Sequence, residues 1–491
     1  MKIHFMFAPP SRKSRLSELS EGRIPPLGLL YLASYLRKKL EGIQMKVTDG
    51  LVEGRERTFR EVESFHPDLI AVSFFTPVAL AAYEFINIIK KKYSHIGIVV
   101  GGPHVSALPE EALEKSMADV AVIGEGEVTF YELIKLFQEN KKVFSPHRLL
   151  NIAGIMFRKD GFLHRTVNRR PIEDLDIIPF PARDLINLSR YKGWYLNKKV
   201  NEGTIMSARG CPFNCTFCSN AVWKIAKPWV RFRSPENIVN EIEELIDKYG
   251  VEEIYDCSDE FNNSVKHALA ICLEMKKRQL NIVWKAAIRA HPLPERLVKV
   301  MAETGCWYLM LGIETGNDDT LRGIKKRITL EQVENACRLL KRYGIKIQGL
   351  FMLYNVWEED GKLQYENTEM VKNTFRYMNY LTKKNLLDYI GWSITIPYPG
   401  SELYDVAVKY SLIKDEYVGN WDRWLVGDSY IMQLPSIDHK DQVRIKTIGS
   451  IIRAKLILRK REFKLKDLDW MIKKSLKLLQ NEIKIKFRHG N

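Results

Sequence analysis

A chain of 491 residues is too long for one ordinary domain, and with 45% hydrophobic residues it can bury more than one core, so two or three domains are expected. The best apolar run, residues 27 to 36, ends in Arg37-Lys38-Lys39 and falls short of the roughly 18 to 20 residues that a membrane-spanning helix needs. A net charge of +16 would suit an anionic partner, yet no nucleic-acid-binding module or regular interleaving of basic and aromatic residues is present, so no nucleic acid is expected.

Residues 1–140 read as alternating strands and helices. Strands are expected at 3–7, 44–48, 68–75, 96–100 and 120–123, with helices at 27–39 and 79–92. Glycines follow two of the strands, in Gly101-Gly102-Pro103-His104 and Gly124-Glu125-Gly126-Glu127. That pattern predicts a doubly wound, parallel, Rossmann-like α/β sheet whose ligand lies across the strand ends, where glycine lets the backbone approach a bulky molecule. Taken alone these loops are weak evidence, since a Gly-Gly after a strand is often a tight turn and no GxGxxG or Walker sequence occurs.

Residues 141–195 read as a connector. A hairpin is expected around Lys159-Asp160-Gly161, followed by an extended crossing that contains Pro171, Pro179 and Pro181. From 196 to 420 a second alternation runs: strands at 204–207, 253–255, 282–287, 308–311, 347–353 and 391–396, and helices at 235–249, 264–278, 294–304, 329–343 and 367–383. About six such units predict a partial or complete (β/α) barrel with its site at the carboxyl ends of the strands.

Directly after the first barrel strand comes Cys211-Pro212-Phe213-Asn214-Cys215-Thr216-Phe217-Cys218, three thiols spaced CxxxCxxC. Three thiolates leave one coordination position open, which points to an iron-sulfur cluster with a vacant iron. A zinc knuckle would need a fourth ligand, and no His or Cys follows within about twenty residues. The remaining cysteines, Cys257, Cys272, Cys306 and Cys337, are scattered and no signal peptide is evident, so disulfides are not expected and a reducing cytoplasm is.

The stretch CPFNCTFC closely resembles the cluster motif of radical S-adenosylmethionine enzymes. Read together, PPLGLLYLASYL (25–36), PDLIAVSFFTP (67–77), VVGGPHVSALPEE (99–111) and VIGEGE (122–127) resemble the amino-terminal cobalamin-binding domain of one large branch of that family. The resemblance implies three cofactors: a 4Fe-4S cluster on Cys211, Cys215 and Cys218; S-adenosylmethionine near Phe217, Asp259, Arg289 and Glu314; and cobalamin near Ser73, Thr76, Gly101, Gly102, Pro103, His104, Gly124, Glu125 and Gly126. No DxHxxG motif occurs, so the cobalt's lower face is expected to lack a His ligand, and His104 stands equally well as a hydrogen-bonding turn residue. Asp259, Arg289 and Glu314 suit a zwitterionic, ribose-bearing cofactor, with an ion-pair network between strand ends as the alternative. Two departures stand out: Ser258 replaces a common acidic residue, and LFMLYNVWEEDG lacks the usual Gly-Pro-Gly turn after the fifth strand.

The implied chemistry begins with a reductant such as flavodoxin or ferredoxin and cleavage of S-adenosylmethionine to a 5′-deoxyadenosyl radical. That radical would take hydrogen from a small-molecule or lipid-like substrate, whose unactivated carbon would receive a methyl group from methylcobalamin. No catalytic acid or base is assigned. Cyclisation or ring-forming oxidation, radical chemistry without cobalamin, and a non-catalytic corrinoid or iron-sulfur module remain alternatives. A transfer-RNA methylthiotransferase would need a second cluster from the amino-terminal domain, and the first 210 residues contain no Cys.

The tail, 421–491, changes composition. From Asp441 onward fifteen basic side chains face five acidic ones, and Leu465, Leu468, Ile472, Leu476 and Leu479 recur at helical spacing. A basic, mostly helical extension is expected; its lysine-rich face is either simply solvated or makes a peripheral membrane contact.

Overall fold

The computed structural model describes residues 1–11, 24–191, 193, 196–425, 430–435 and 437–459. Two sheets organise these residues, the first parallel except at the β6–β7 edge and the second wholly parallel. The first contains β1 (Lys2–Phe7), β2 (Gln44–Asp49), β3 (Leu69–Ser73), β4 (Gly97–Gly101), β5 (Val120–Val122), β6 (Ile155–Lys159) and β7 (Phe162–Arg165), in the order β2-β1-β3-β4-β5-β6-β7. Its central strands β3, β4 and β5 are nearly continuous apolar runs because helices cover both faces, and two apolar clusters accordingly fill its two sides. The hairpin expected in the connector is present, but it extends this sheet: β6 pairs antiparallel with β5.

The second sheet contains β8 (Glu202–Ile205), β11 (Glu253–Asp256), β12 (Val283–Ile288), β13 (Cys306–Glu314), β14 (Lys346–Leu353) and β17 (Tyr389–Ile394), all parallel, in the order β17-β14-β13-β12-β11-β8. Between them lie two short antiparallel pairs, β9 (Ala208–Arg209) with β10 (Arg231–Phe232), and β15 (Val356–Glu359) with β16 (Lys362–Tyr365). The order runs from β8 to β17 without those edges pairing, so this is a partial barrel of six strands. Its outer faces and covering helices form the largest apolar core.

Local signals explain the helix limits. Helix 235–249 starts at Pro235 after Ser234, whose side chain accepts from Asn237 N–H, and stops at Gly250 in the left-handed conformation. Helix 330–342 begins with a reciprocal Thr329/Gln332 capping box.

Two contacts away from the cysteine stretch help hold the halves together. The Pro-rich crossing sends Arg183 into the barrel, where its guanidinium lies 2.5 Å from Glu241 and donates to the Thr204 carbonyl at 2.7 Å. Arg233 meets the other Glu241 oxygen, and all three side chains are buried. Burial alone would raise the Glu241 pKa, but the two guanidinium groups hold it below its ordinary value. At the far end, Trp421 and Trp424 return to the first domain's core, and Trp421 Nε1 donates to Glu111 at 2.6 Å. The start of the tail is thus packed core, and a helix follows at His439–Arg459. The apolar residues at helical spacing, Leu465, Leu468, Ile472, Leu476 and Leu479, lie outside the described residues. Among the described residues no helix is long and apolar enough to cross a membrane.

Replacing Glu241 by Gln leaves two buried cations without a counter-charge. A loss of about 3–5 kcal/mol in unfolding free energy is expected, read as a lower denaturant midpoint, with a smaller loss when Arg183 is replaced by Met in the same background.

Candidate functional site

The carboxyl ends of the two sheets face one another across a cavity of about 390 Å³. Its first-domain wall includes Ser73 at the end of β3, Gly101, Gly102 and Pro103 after β4, and Gly124, Glu125 and Gly126 after β5. From the barrel come Met206, Arg209, Gly210, Cys257, Ser258 and Asp259. A Cβ added at Gly28 would meet nothing within 4 Å, and one at Gly101 nothing nearer than 3.8 Å, so these positions keep the wall open to a broad ligand.

Two of the residues expected here are elsewhere. His104 is fully buried: its Nε2 is 2.8 Å from Tyr83 Oη, its Nδ1 is 3.1 Å from Thr76 Oγ1, and Trp421 packs edge-on at 5.5 Å. Burial lowers its pKa to about 3, so it is a neutral core residue. A His beside Pro in a glycine-rich turn looks like a ligand in one dimension; here the helix at 103–107 turns it inward. Neither His104 nor Thr76 is on the cavity wall, and no histidine lines it among the described residues.

Glu125 reaches the wall but is already paired. Its carboxylate binds Arg231 and lies 3.5 Å from Arg209, while Glu127 meets Arg209 at 2.6 Å. Arg209 also lies over the Tyr31 ring at 5.1 Å. Buried Glu127 would have a raised pKa but for Arg209, which holds it below its ordinary value. These pairs join the loop after β5 to the strands on either side of the cysteine stretch.

The three thiols sit in the loop after β9. The loop is pinned by Thr216 N–H to the Ile324 carbonyl at 3.1 Å and by Leu403 N–H to the Thr216 carbonyl at 2.8 Å. Gly210 has φ +84, and a Cβ there would collide with the Trp229 carbonyl, so only glycine fits before Cys211. Burial raises the Cys211 thiol to about 12 and the Cys218 thiol to about 11. Cys215 is raised less, because Lys326 and Arg289 lie beside it. Among the described residues no three His, Cys, Asp or Glu side chains converge as a single-ion site would require.

Around the thiols stand strand-end charges. Arg289 is 1% exposed, lies 3.7 Å over the Phe213 ring and 3.6 Å from Glu260, yet its three guanidinium nitrogens lack hydrogen-bond partners. Buried donors left in that state cost free energy until an acceptor arrives. Glu314, at φ +68, is bonded to buried Lys326 at 2.7 Å. Asp259 faces the cavity, near Asn220. Phe217 packs against the barrel core; the aromatic that meets the charged groups is Phe213. Phe213 and Lys326 were not singled out from the sequence, although Lys326 lies in the basic run Lys325-Lys326-Arg327; Glu260 adjoins Asp259 after β11.

Both departures acquire structural roles. Ser258 Oγ accepts from Ser207 N–H at 2.9 Å and Ala208 N–H at 3.0 Å, tying β11 to the start of the thiol loop. In place of a Gly-Pro-Gly turn stands the β15–β16 hairpin, and buried Glu366 after it accepts from Asn355 N–H at 3.0 Å and Thr315 Oγ1 at 2.5 Å.

Fold and site together define a class in which a B12-binding sheet is joined to a radical S-adenosylmethionine barrel. The B12 binding domain model matches residues 18–134 and the Radical SAM superfamily model residues 205–362. A relative from Pyrococcus horikoshii described as "Uncharacterized methyltransferase PH0819" is 32% identical over 87% of each chain. The anaerobic magnesium-protoporphyrin IX monomethyl ester cyclase of Rubrivivax gelatinosus is 28% identical over 82% of this chain and 69% of its own. The structure of the methyltransferase TsrM from Kitasatospora setae, with cobalamin and a 4Fe-4S cluster bound, superposes with a TM-score of 0.64 at 17% identity, covering 84% of this chain and 76% of that one. This chain belongs to the family of cobalamin-dependent radical S-adenosylmethionine enzymes.

Because His104 is neutral when folded and ionises near 6.5 when unfolded, its contribution to stability is complete above about pH 6.5 and is lost as pH falls from there toward about 3. Replacing His104 by Asn is expected to make the decline of melting temperature with acidification shallower across that window.

Proposed function

We propose that this chain methylates an unactivated carbon of a small-molecule substrate. The observation that carries the reading is the single cavity on which the glycine loops of the first sheet and the strand ends beside the three thiols both open. In this reading Cys211, Cys215 and Cys218 hold the cluster. Lys326 and Arg289 beside Cys215 suit the negative charge of an iron-sulfide core bound by thiolates. Arg289 gives its unpartnered donors to the carboxylate of S-adenosylmethionine, and Phe213 beneath fixes the guanidinium plane. Asp259 on the cavity wall and Glu260 beside Arg289 would serve the cofactor's amino group and hydroxyls. Glu314, engaged by Lys326, orients that cation and serves the cofactor only through its second oxygen.

Cobalamin would be held against Ser73, Gly101, Gly102, Pro103, Gly124 and Gly126, which line the cavity. Glu125 fixes Arg209 and Arg231 and thereby the width of the cavity. Bound together, the cluster, S-adenosylmethionine and cobalamin supply one-electron chemistry and a methyl group at one place. The protein's own contribution is positioning, and exclusion of water by the apolar wall of Ala71, Val99, Val100 and Val122. A small electron-carrier protein would supply the electron. The methyltransferase and cyclase names of the relatives favour cobalamin-assisted radical chemistry in general, and the product distinguishes them: gain of one methyl mass for methylation, loss of hydrogens for ring closure.

Anaerobically purified protein is expected to show iron-sulfur absorption and to retain added cobalamin. Replacing any of Cys211, Cys215 or Cys218 by Ala should abolish the iron-sulfur band and leave cobalamin retention intact. Arg289→Met should keep both bands and weaken S-adenosylmethionine binding about tenfold or more, from the roughly 1.5–3 kcal/mol of a charge-assisted hydrogen bond. Iron-sulfur absorption without any retained corrinoid would eliminate methyl transfer by this route.

A further inference from the structure

The basic run Lys325-Lys326-Arg327 splits its charges between two directions. Lys325 and Arg327 have φ of +56 and +55, a left-handed backbone that residues other than glycine seldom adopt. Between them Lys326 turns inward to Glu314, 2.7 Å away, while Lys325 and Arg327 are exposed. The Lys325 carbonyl lies 3.8 Å from Cys215 Sγ, so this turn runs directly beside a half-buried thiol.

A second basic segment borders the same loop. Lys224 donates to the Phe213 carbonyl and, at 2.8 Å, to Oδ1 of Asn214, the residue before Cys215. Its ammonium group lies 5.8 Å from the Trp229 ring, and that of Lys227 lies 5.4 Å from it. Lys227, Trp223 and Trp229 are exposed, as are Pro212 and Asn214 in the loop itself. The carboxylates nearest to this basic run are already engaged, Glu402 by Lys325 and Asp319 by Arg322. Among the described residues neither Lys227 nor Arg327 has an ion-pair partner. The thiol loop is therefore edged by uncompensated cationic charge with two indoles set in it.

From this arrangement we infer that the rim formed by Lys224, Lys227, Lys325 and Arg327 is the docking surface for a small acidic electron-carrier protein, whose redox centre comes to rest over residues 212–215. One electron leaves the carrier's reduced flavin or iron-sulfur centre, which is thereby oxidised, and enters the group held by the thiols, which is reduced. Transient redox encounters bury less than about 1,200 Å², so opposite charge does much of the steering and selecting. Trp223 and Trp229 add the exposed aromatic surface that protein interfaces use as anchors. The inference rests on the reading under Proposed function, since it takes Cys211, Cys215 and Cys218 to hold an electron-accepting cluster.

The test titrates the full chain into fluorescently labelled flavodoxin, an acidic flavin protein, and reads binding by anisotropy. In about 10 mM salt, where charges act over about 30 Å, the double variant Lys227→Glu/Arg327→Glu is expected to bind about tenfold more weakly or worse. At about 1 M salt the variant and the wild type should converge. A matched variant, Arg296→Glu/Lys299→Glu on the outer helix 295–303, changes net charge equally and should bind several times more tightly than Lys227→Glu/Arg327→Glu. Reduction of the loaded protein by flavodoxin should slow in step with binding, while reduction by photoreduced deazariboflavin, a small uncharged donor, stays at the wild-type rate. Equal binding by the wild type and Lys227→Glu/Arg327→Glu, an equal loss in the matched variant, or pelleting with phosphatidylglycerol vesicles without any flavodoxin binding overturns the inference. Absence of iron-sulfur absorption from the reconstituted wild type sinks the functional reading instead, and the flavodoxin titrations still decide the docking surface.

Discussion

Arg209 and Arg231 flank the cysteine loop, and both reach into the first domain to meet Glu125 and Glu127 on either side of Gly126. These pairs are nearly removed from water, so their attraction is offset by desolvation, and replacing them with well-packed apolar groups could be neutral for stability. Their consequence is positional. A guanidinium held by a carboxylate has few alternative seats, and Arg209 is two residues from Cys211. The same contacts that set the distance between the sheets therefore set where the first thiol stands relative to the glycine loops. The Arg183–Glu241–Arg233 cluster does the same for the connector, and Trp421 does it from the carboxyl side by entering the first domain's core. A cavity between two domains keeps its shape only if the domains cannot rock, and these three contacts oppose rocking from different directions.

The charges at the strand ends obey one electrostatic rule: those beside the thiols are arranged so that an anion can be added. Burial works against the charge on Lys326, but Glu314, bonded to it at 2.7 Å, holds its pKa above the ordinary value, with Glu260 adding to the effect. Burial pushes the Glu260 pKa up, opposed by Lys326 and Arg289. The thiols, buried too, favour their neutral forms. Local anionic character is thus held low in a region with two buried cations, and Arg289 retains donors with no acceptor. A thiolate-bound cluster and a carboxylate are the groups that such a region accommodates.

Much of this was legible in one dimension. The helices 27–39, 79–92 and 235–249 have the limits that their apolar spacing, basic ends and caps indicate. CxxxCxxC after a strand placed the thiol loop, and glycines after β4 and β5 placed the facing wall. What escaped depends on partners distant in sequence. Glu125 reads as a loop residue beside a ligand until Arg231, 106 positions later, claims it. His104 reads as a ligand until Tyr83 and Trp421 enclose it. Phe217 has the motif's expected place, but only the position of Arg289 shows that Phe213 is the aromatic facing charge. Trp421 and Trp424 begin a segment whose basic composition speaks of solvent, although their indoles lie in a core that belongs to residues more than 300 positions earlier. The β15–β16 hairpin was read only as a missing turn because its anchor, Glu366, works through Asn355 and Thr315 rather than through a local motif.

The two sheets also divide the chemical labour by polarity. On the first, apolar strands end in glycines, which brings backbone and aliphatic surface to the cavity and leaves its few carboxylates occupied by arginines. On the second, Arg289, Glu260, Glu314 and Lys326 stand at or beyond the strand ends beside the thiols, and a separate buried cluster of Lys285 with Glu202 and Glu253 lies nearer the amino ends. A ligand held between the sheets therefore meets aliphatic and backbone surface on one side and Arg209, Ser258 and Asp259 on the other. For one-electron chemistry that asymmetry matters more than any single hydrogen bond. Side reactions depend on what lies within reach, and toward the first sheet the neighbours are the aliphatic side chains of Ala71, Val99, Val100 and Val122.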